Sequence, residues 1–507
     1  MENVSRIKRS SNNLLFSIIL YFIKSLLSFA TRTVFIYFFV EEFLGLNSLF
    51  SNILTLLSLA ELGFGNAIIF SMYKPIAEGD DEKVRQLLAL YKKFYRIVGT
   101  LILLVGASIT PFITYIIKDA PNIPINIYVV YLIFLSNTVC SYFLSFRRSL
   151  LITNQRQDIE SKVGTIAVVS LNFFQILSLI LFKNYYLYII LTVLFTFFEN
   201  LAIFFITNKL YPQFIKNPES KLPKEEQKII TKNIFALFFH KLEYVLVCGT
   251  DNIIISAFFG ASILGIYSNY ALIISYIGAL INFFIVAIRG SLGNYISLKK
   301  PSETLNLFKN LNFGFMWFVS WCSICLMCLF QPFVNLWLDA TYLLPTGIVL
   351  LLVVSFYLNH SKYLMNTTKE CAGIFWEDRY KALFTAITNI IVSLILCQYI
   401  GLAGVIWGTI ISHLIPIFVE PYFVHKIYFK TKPTTYYLTY ILYFITATIL
   451  GFITYAVCDL VLIGGILGLI IKLAICGIVP NALFVLIYFI SEKFSYWLKV
   501  AKKIIKK

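Results

Sequence analysis

The chain has 507 residues, 59% of them hydrophobic and 13% charged, with a formal net charge of +17 and a mean hydropathy of +0.81. Soluble proteins carry roughly a quarter charged residues, so the composition excludes a soluble globular domain and defines a polytopic membrane protein. The apolar runs lack period-two alternation, which excludes a β-barrel, and lipid-exposed backbone must be hydrogen-bonded within its own segment, which leaves helices.

Spans of about 20 apolar residues are expected at 14–39, 46–72, 94–117, 125–146, 163–182, 185–207, 233–258, 263–288, 310–331, 343–365, 381–399, 402–424, 435–457 and 461–490, fourteen in all. The opening MENVSRIKRS is basic, but the run after it contains Lys24 and Arg32 and no small-x-small cleavage site. It is read as a retained first span rather than a cleaved signal. Of the 42 Lys and Arg, Lys118 and Lys183 fall on one side, Lys24, Arg32, Lys241 and Lys472 fall within spans, and the rest gather on the other side. That asymmetry places both termini in the cytoplasm. The basic surplus is therefore topology, and no nucleic-acid partner is expected.

Within GDDEKVRQLLALYKKFYR (79–96), Asp80 or Asp81 is placed to N-cap a helix whose Val84, Leu87, Leu88 and Tyr91 share one face. The longest polar stretch, NKLYPQFIKNPESKLPKEEQKIITKN (208–233), contains three prolines and follows the sixth span. The expected organisation is an N-terminal six-helix lobe at 1–207, a cytoplasmic linker at 208–232, a C-terminal six-helix lobe at 233–424, and two extra helices with a basic tail at 425–507. FLGLNSLFSNI (43–53) and ILGIYSNYALI (263–273) are similar at an offset of 220 residues, as inverted or repeated transporter halves would be.

The second lobe opens on FFHKLEYVLVCGTDN (238–252), where His240, Lys241, Glu243 and Asp251 interrupt an apolar run. A charge at mid-membrane costs about 2.5–3.5 kcal/mol on insertion scales, so this side of the helix is expected to face protein or water. His240 and Glu243, three residues apart, are placed to pair. The first span repeats the theme with Lys24 and Arg32, and the second carries Glu61 in LAELGFGNAI (59–68). Gly63 and Gly65 beside it permit a kink or close helix packing. Lys24, Arg32 and Lys241 read either as a scaffold paired with carboxylates across helices or as a cationic cavity for an anionic ligand. Glu61, His240, Glu243 and Asp251 are candidates for charge balance or for a coupling cation. Glu199 and Glu420, nearer the inner ends of their spans, are expected to meet solvated head groups.

WCSICLMC places Cys322, Cys325 and Cys328 on one helix. Metal binding would need a fourth ligand, none is evident nearby in sequence, and the cysteines read as small hydrophobes. No metal, cofactor or catalytic residue is expected, because the chain contains no P-loop, GxSxG or HExxH motif.

FLGLNSLFSNILTLLSLAELGFGNAIIFSMYKPIAEGDDEKVRQLLALYKKFYR (43–96) resembles the start of Wzx-type polysaccharide repeat-unit flippases, which serve O-antigen and capsule synthesis. These belong to the MOP exporter superfamily with the lipid II flippases and the MATE exporters. TDNIIISAFFGASILGIYSNYALI (250–273) and GSLGNYIS (290–297) resemble the corresponding part of the second half. The resemblance implies an all-α integral membrane fold: two six-helix bundles about a pseudo-two-fold, with two C-terminal helices appended. It implies a non-enzymatic transporter of the bacterial cytoplasmic membrane that flips undecaprenyl-pyrophosphate-linked oligosaccharide by alternating access. Its partners would be that lipid-linked substrate, membrane lipids, a coupling Na+ or H+, and polysaccharide polymerase machinery. Basic cavity residues would hold the pyrophosphate, for which Lys24, Arg32 and Lys241 are suitably spaced. A MATE-like cation-coupled exporter is the first alternative. A membrane polymerase is the second, although the outer connections are too short to build its usual outer loop.

Overall fold

The computed structural model describes residues 2–61, 64–118, 123–374 and 377–505; the side chains of 2–19, 59, 60, 66, 229–248, 501 and 503–505 are outside the description. Among the described residues there is no strand, and eleven helices are long and apolar enough to cross a membrane. The principal helices are α1 (Glu2–Phe38), α2 (Glu41–Leu57), α3 (Phe64–Glu78), α4 (Asp81–Ile109), α5 (Ile127–Ser145), α6 (Gln157–Phe182), α7 (Tyr185–Leu210) and α8 (Lys224–Leu298). They are followed by α9 (Pro301–Leu338), α10 (Thr346–Ser361), α11 (Arg379–Ile400), α12 (Leu402–Phe423), α13 (Thr434–Asp459), α14 (Gly465–Tyr488) and α15 (Glu492–Ile505).

Local chemistry accounts for several boundaries. Asp80 is the N-cap of α4, its carboxylate accepting from Lys83 N at 2.9 Å, and Val84, Leu87, Leu88 and Tyr91 are buried. The amphipathic segment is therefore the first part of the following span rather than a separate helix. The span expected unbroken over 46–72 is split. After α2, Ser58–Glu61 forms a 3-10 turn, and Ser58 Oγ donates back to Leu54 O at 2.8 Å. A hydroxyl bonding into the preceding turn competes with the helical ladder and favours such a break. The spans expected at 233–258 and 263–288 run together in α8 with one non-helical residue, Gly260 (φ 84, ψ 175), a conformation that only glycine adopts without strain.

By contacts the chain forms two compact units, residues 1–265 and 266–507. In the first, α1 packs on α6, α5 on both α4 and α7, and α6 on α7. Thr31 of α1 donates to Asn172 of α6 at 2.6 Å. Residues 249–265 belong to this unit because α2 meets them at van der Waals distance. A Cβ on Gly45 would lie 1.9 Å from Ala261 O, and a Cβ on Gly265 would lie 2.0 Å from Glu41 O. Gly249 meets the Leu56 side chain, and Ser262 Oγ donates to Glu41 Oε1 at 2.9 Å.

The register of that crossing is informative. Gly45 meets the residue four before Gly265, and Gly265 meets the residue four before Gly45. Residues 41 and 45 correspond to 261 and 265 at the 220-residue offset read in the sequence. A contact in which i meets j and the equivalent of j meets the equivalent of i is the signature of a two-fold axis. The two Leu-Gly stretches thus cross as symmetry equivalents.

In the second unit α9 is the central element, packed by α10, α13, α14 and α15, while α12 packs on α10 and α11. Its core is aromatic, with Phe308, Phe313, Phe315 and Phe330 all buried. Gly408 of α12 approaches the Ser393 backbone of α11 so closely that no side chain would fit, which explains why these two helices are so intimately paired.

Candidate functional site

A polar cavity of about 460 Å³ lies inside the first unit, lined among others by Glu61, Gly65, Tyr95, Tyr142, Arg148 and Glu199. The break between α2 and α3 places Glu61 in its wall. The Glu61 carboxylate accepts a hydrogen bond from the Tyr95 hydroxyl, which in turn accepts from Tyr91 at 2.9 Å. Tyr142 adds a hydroxyl contact to Glu61 and Ser58. Gly65 keeps the wall open, since a Cβ there would meet the Tyr91 hydroxyl at 2.8 Å.

Across the cavity Arg148, just after α5, engages α6 and α7. Its guanidinium donates to Glu160 at 3.3 Å, to Glu199 at 2.9 Å and to Asn200 at 3.3 Å. Its Nε is buried without a hydrogen-bond partner. A planar fork of this kind binds carboxylate or phosphate oxygens in pairs. The adjacent Arg147 has a different task. Its side chain is buried, donating to Phe214 O at 2.9 Å and lying over the Phe146 and Phe204 rings, where it anchors the loop after α7.

The α1 cations run alongside α7. Lys24 is partly buried and within electrostatic reach of Glu199. Arg32, two turns further along, is partly buried and lies near Tyr188. Lys24 thus stands next to the cavity through a carboxylate that it shares with Arg148. Asp251 is buried in α8. His240, Lys241 and Glu243 fall outside the described side chains, so only their backbone, within α8, is placed.

Glu420 does not sit among solvated head groups as expected, and Glu199 pairs with Arg148. Glu199 belongs to the cavity. Glu420 of α12 is 1% exposed, in an ionic cluster with Lys369, Asp378 and Lys381 that is buried throughout. Lys381 Nζ lies 2.6 Å and Lys369 Nζ 3.4 Å from Glu420 Oε1, and Lys369 also pairs with Asp378. Two cations and two anions neutralise one another, which is the arrangement that lets charge persist in a dry interior.

The sequence reading missed Arg148, Glu160 and the three tyrosines. In sequence Arg148 reads only as one of the basic residues that gather on one side of the spans. The available signal is its place directly after an apolar span.

No family model matches the chain, and no curated protein does. Solved structures do. A lipid II flippase MurJ in an inward closed conformation superposes with a TM-score of 0.70 at 16% identity, covering 94% of this chain and 99% of that one. A multidrug resistance MATE family transporter of the MOP superfamily, inward-facing, gives 0.59 at 13% identity over 80% of this chain and 97% of that one. A Vibrio cholerae MATE transporter, VcmN, gives 0.53 at 12% identity over 84% and 99%. The chain therefore shares the all-helical fold of these transporters, and eleven of its described helices are long and apolar enough to cross a membrane. Among these three, the fold agrees most fully with the lipid II flippase.

Proposed function

We propose that this protein is a flippase that moves undecaprenyl-pyrophosphate-linked oligosaccharide repeat units across the bacterial cytoplasmic membrane for surface polysaccharide synthesis. The observation that carries the reading is the near-complete superposition on a lipid II flippase, a protein whose cargo is itself a lipid. The site supports it. We assign the pyrophosphate to Lys24, Arg32 and Lys241 on α1 and α8, and Arg148 adds a further guanidinium at the cavity wall. An incoming pyrophosphate would compete with Glu199 for Lys24 and Arg148, and the displaced carboxylate would offer a place for a coupling Na+ or H+. Glu61, His240, Glu243 and Asp251 are the other candidates for that ion. Both termini would be cytoplasmic, the protein would perform no covalent chemistry, and polymerase machinery would take the delivered unit.

Each charge-assisted hydrogen bond contributes about 1.5–3 kcal/mol. Lys24→Ala and Arg32→Ala are therefore expected each to reduce polymer export by roughly ten- to a hundredfold at normal expression, with Lys24→Arg retaining most of it. Export at the wild-type rate in both alanine variants would remove these residues from the site.

A second reading, a MATE-like cation-coupled exporter, is favoured by one observation: around the cavity the carboxylates of Glu61, Glu160 and Glu199 outnumber the cavity's own cation, Arg148. It predicts raised resistance to cationic drugs on expression, abolished by Glu61→Gln. Unchanged drug susceptibility on expression would count against it.

A further inference from the structure

Three cysteines on α9 are unremarkable in a membrane helix, but the fold brings two more to them from the last two spans. Cys328 of α9, Cys458 of α13 and Cys476 of α14 have their sulfurs within 4.8 Å of one another. Cys458 Sγ and Cys476 Sγ are 3.9 Å apart. Cys325, one turn before Cys328, also makes a thiol contact with Cys476, as Cys328 itself does. All but Cys325 are buried, at 3%, 3% and 0% exposure for Cys328, Cys458 and Cys476. Of nine cysteines in 507 residues, three converge on one point from three helices, and Cys325 lies beside them against Cys476.

We propose that Cys325, Cys328, Cys458 and Cys476 form a binding site for a thiophilic d10 metal ion, with Zn2+ the ion of choice.

The geometry and charge both fit. A tetrahedral centre with Zn–S bonds of about 2.3 Å holds its sulfurs roughly 3.8 Å apart, close to the 3.9 Å between Cys458 and Cys476. Cys325-x-x-Cys328 is the ligand spacing of structural zinc sites, here carried on a helix where residues three apart share a face. An all-sulfur donor set selects soft ions over Mg2+ or Ca2+. Metal-bound thiols lose their protons, so four thiolates around Zn2+ leave two negative charges. Lys472, one turn before Cys476, is within electrostatic reach of Cys458 and offsets one of them. The cysteines are unbonded in this structure, Cys458 Sγ and Cys476 Sγ lying 3.9 Å apart against about 2.05 Å in a disulfide. The bound ion would fasten α13 and α14 to α9, the helix against which both pack, and binding free energy would add to folding stability.

The test uses the full-length protein, purified in detergent with an affinity tag free of histidine, stripped with chelator under reducing conditions and titrated with Co2+. The expected result is sulfur-to-cobalt charge-transfer and tetrahedral d–d absorption that saturates at one equivalent and is bleached by Zn2+. Cys476→Ser and Cys458→Ser should each reduce the signal to background, while Cys397→Ser, on α11 and outside the cluster, should leave it intact. To separate lost binding from lost folding, the wild-type chain is also alkylated with N-ethylmaleimide. Zn2+ should protect four thiols, and it should raise the melting temperature. Absence of charge-transfer absorption in the wild type, its persistence in Cys476→Ser, or a free-thiol count showing an oxidised pair in this cluster would each overturn the site.

Discussion

Glu420→Ala is expected to destabilise the second unit by about 3–5 kcal/mol, the cost of breaking a buried ion pair by removing one partner. Glu420 is the acceptor for both Lys381 and Lys369, and all four members of the cluster are at most 8% exposed. Removing it leaves two ammonium groups facing one carboxylate, Asp378, with Lys362 a further cation in electrostatic range of the Glu420 position. Water cannot reach the site to compensate. The paired replacement Lys381→Met with Glu420→Leu leaves the neutral Lys369–Asp378 pair in apolar surroundings, so it should recover most of the loss. Thermal unfolding followed by size-exclusion chromatography in detergent measures both. Melting of Glu420→Ala within error of the wild type, or a double variant worse than the single one, would show that the cluster is solvated.

The second large effect is steric. Gly45→Val and Gly265→Val each place a Cβ about 2 Å from a backbone carbonyl oxygen of the opposing helix. Backbone cannot swing aside as a long side chain can, so the helices must part. Overpacking of this kind costs about 1–3 kcal/mol and occasionally more, and close glycine contacts are a main source of helix association in lipid. Because the contact is reciprocal, the two variants should be impaired to a similar degree, in both folded yield and transport. Gly477→Val is the control, having nothing within 4 Å of its added Cβ. Strong impairment by Gly45→Val alone, with Gly265→Val tolerated, would contradict a symmetric crossing.

Much of the fold was legible because membrane helices announce themselves locally. Composition excluded every alternative to a helical bundle, and Asp80 was readable as a cap from its place before an amphipathic run, whereas the break after α2 was not, because glycines near Glu61 serve close helix packing equally well. Even the two-fold relation showed in FLGLNSLF and ILGIYSNY. What stayed hidden shares one property: it depends on which helix faces which. Glu420 finds Lys369 and Lys381 at separations of 51 and 39 residues, and Arg148 finds Glu199 across 51. Cys328 meets Cys476 only because α14 returns to α9. No local period encodes such pairings, and a carboxylate near the end of an apolar run looks the same whether it ends at head groups or inside a dry cluster. The candidate site was legible in kind, as cations buried on α1, but not in its partners.

The measurement that bears most directly on the proposed transport is leaflet accounting in the native host after depletion of this protein. Lipid-pyrophosphate-linked oligosaccharide is labelled from outside with an impermeant reagent, extracted and quantified by leaflet. The flippase account predicts that unpolymerised repeat units accumulate in the inner leaflet, inaccessible to the label, while surface polymer falls. Normal outward exposure with normal polymer, in a strain holding no second transporter of this fold, would contradict it and move the cation exporter to first place.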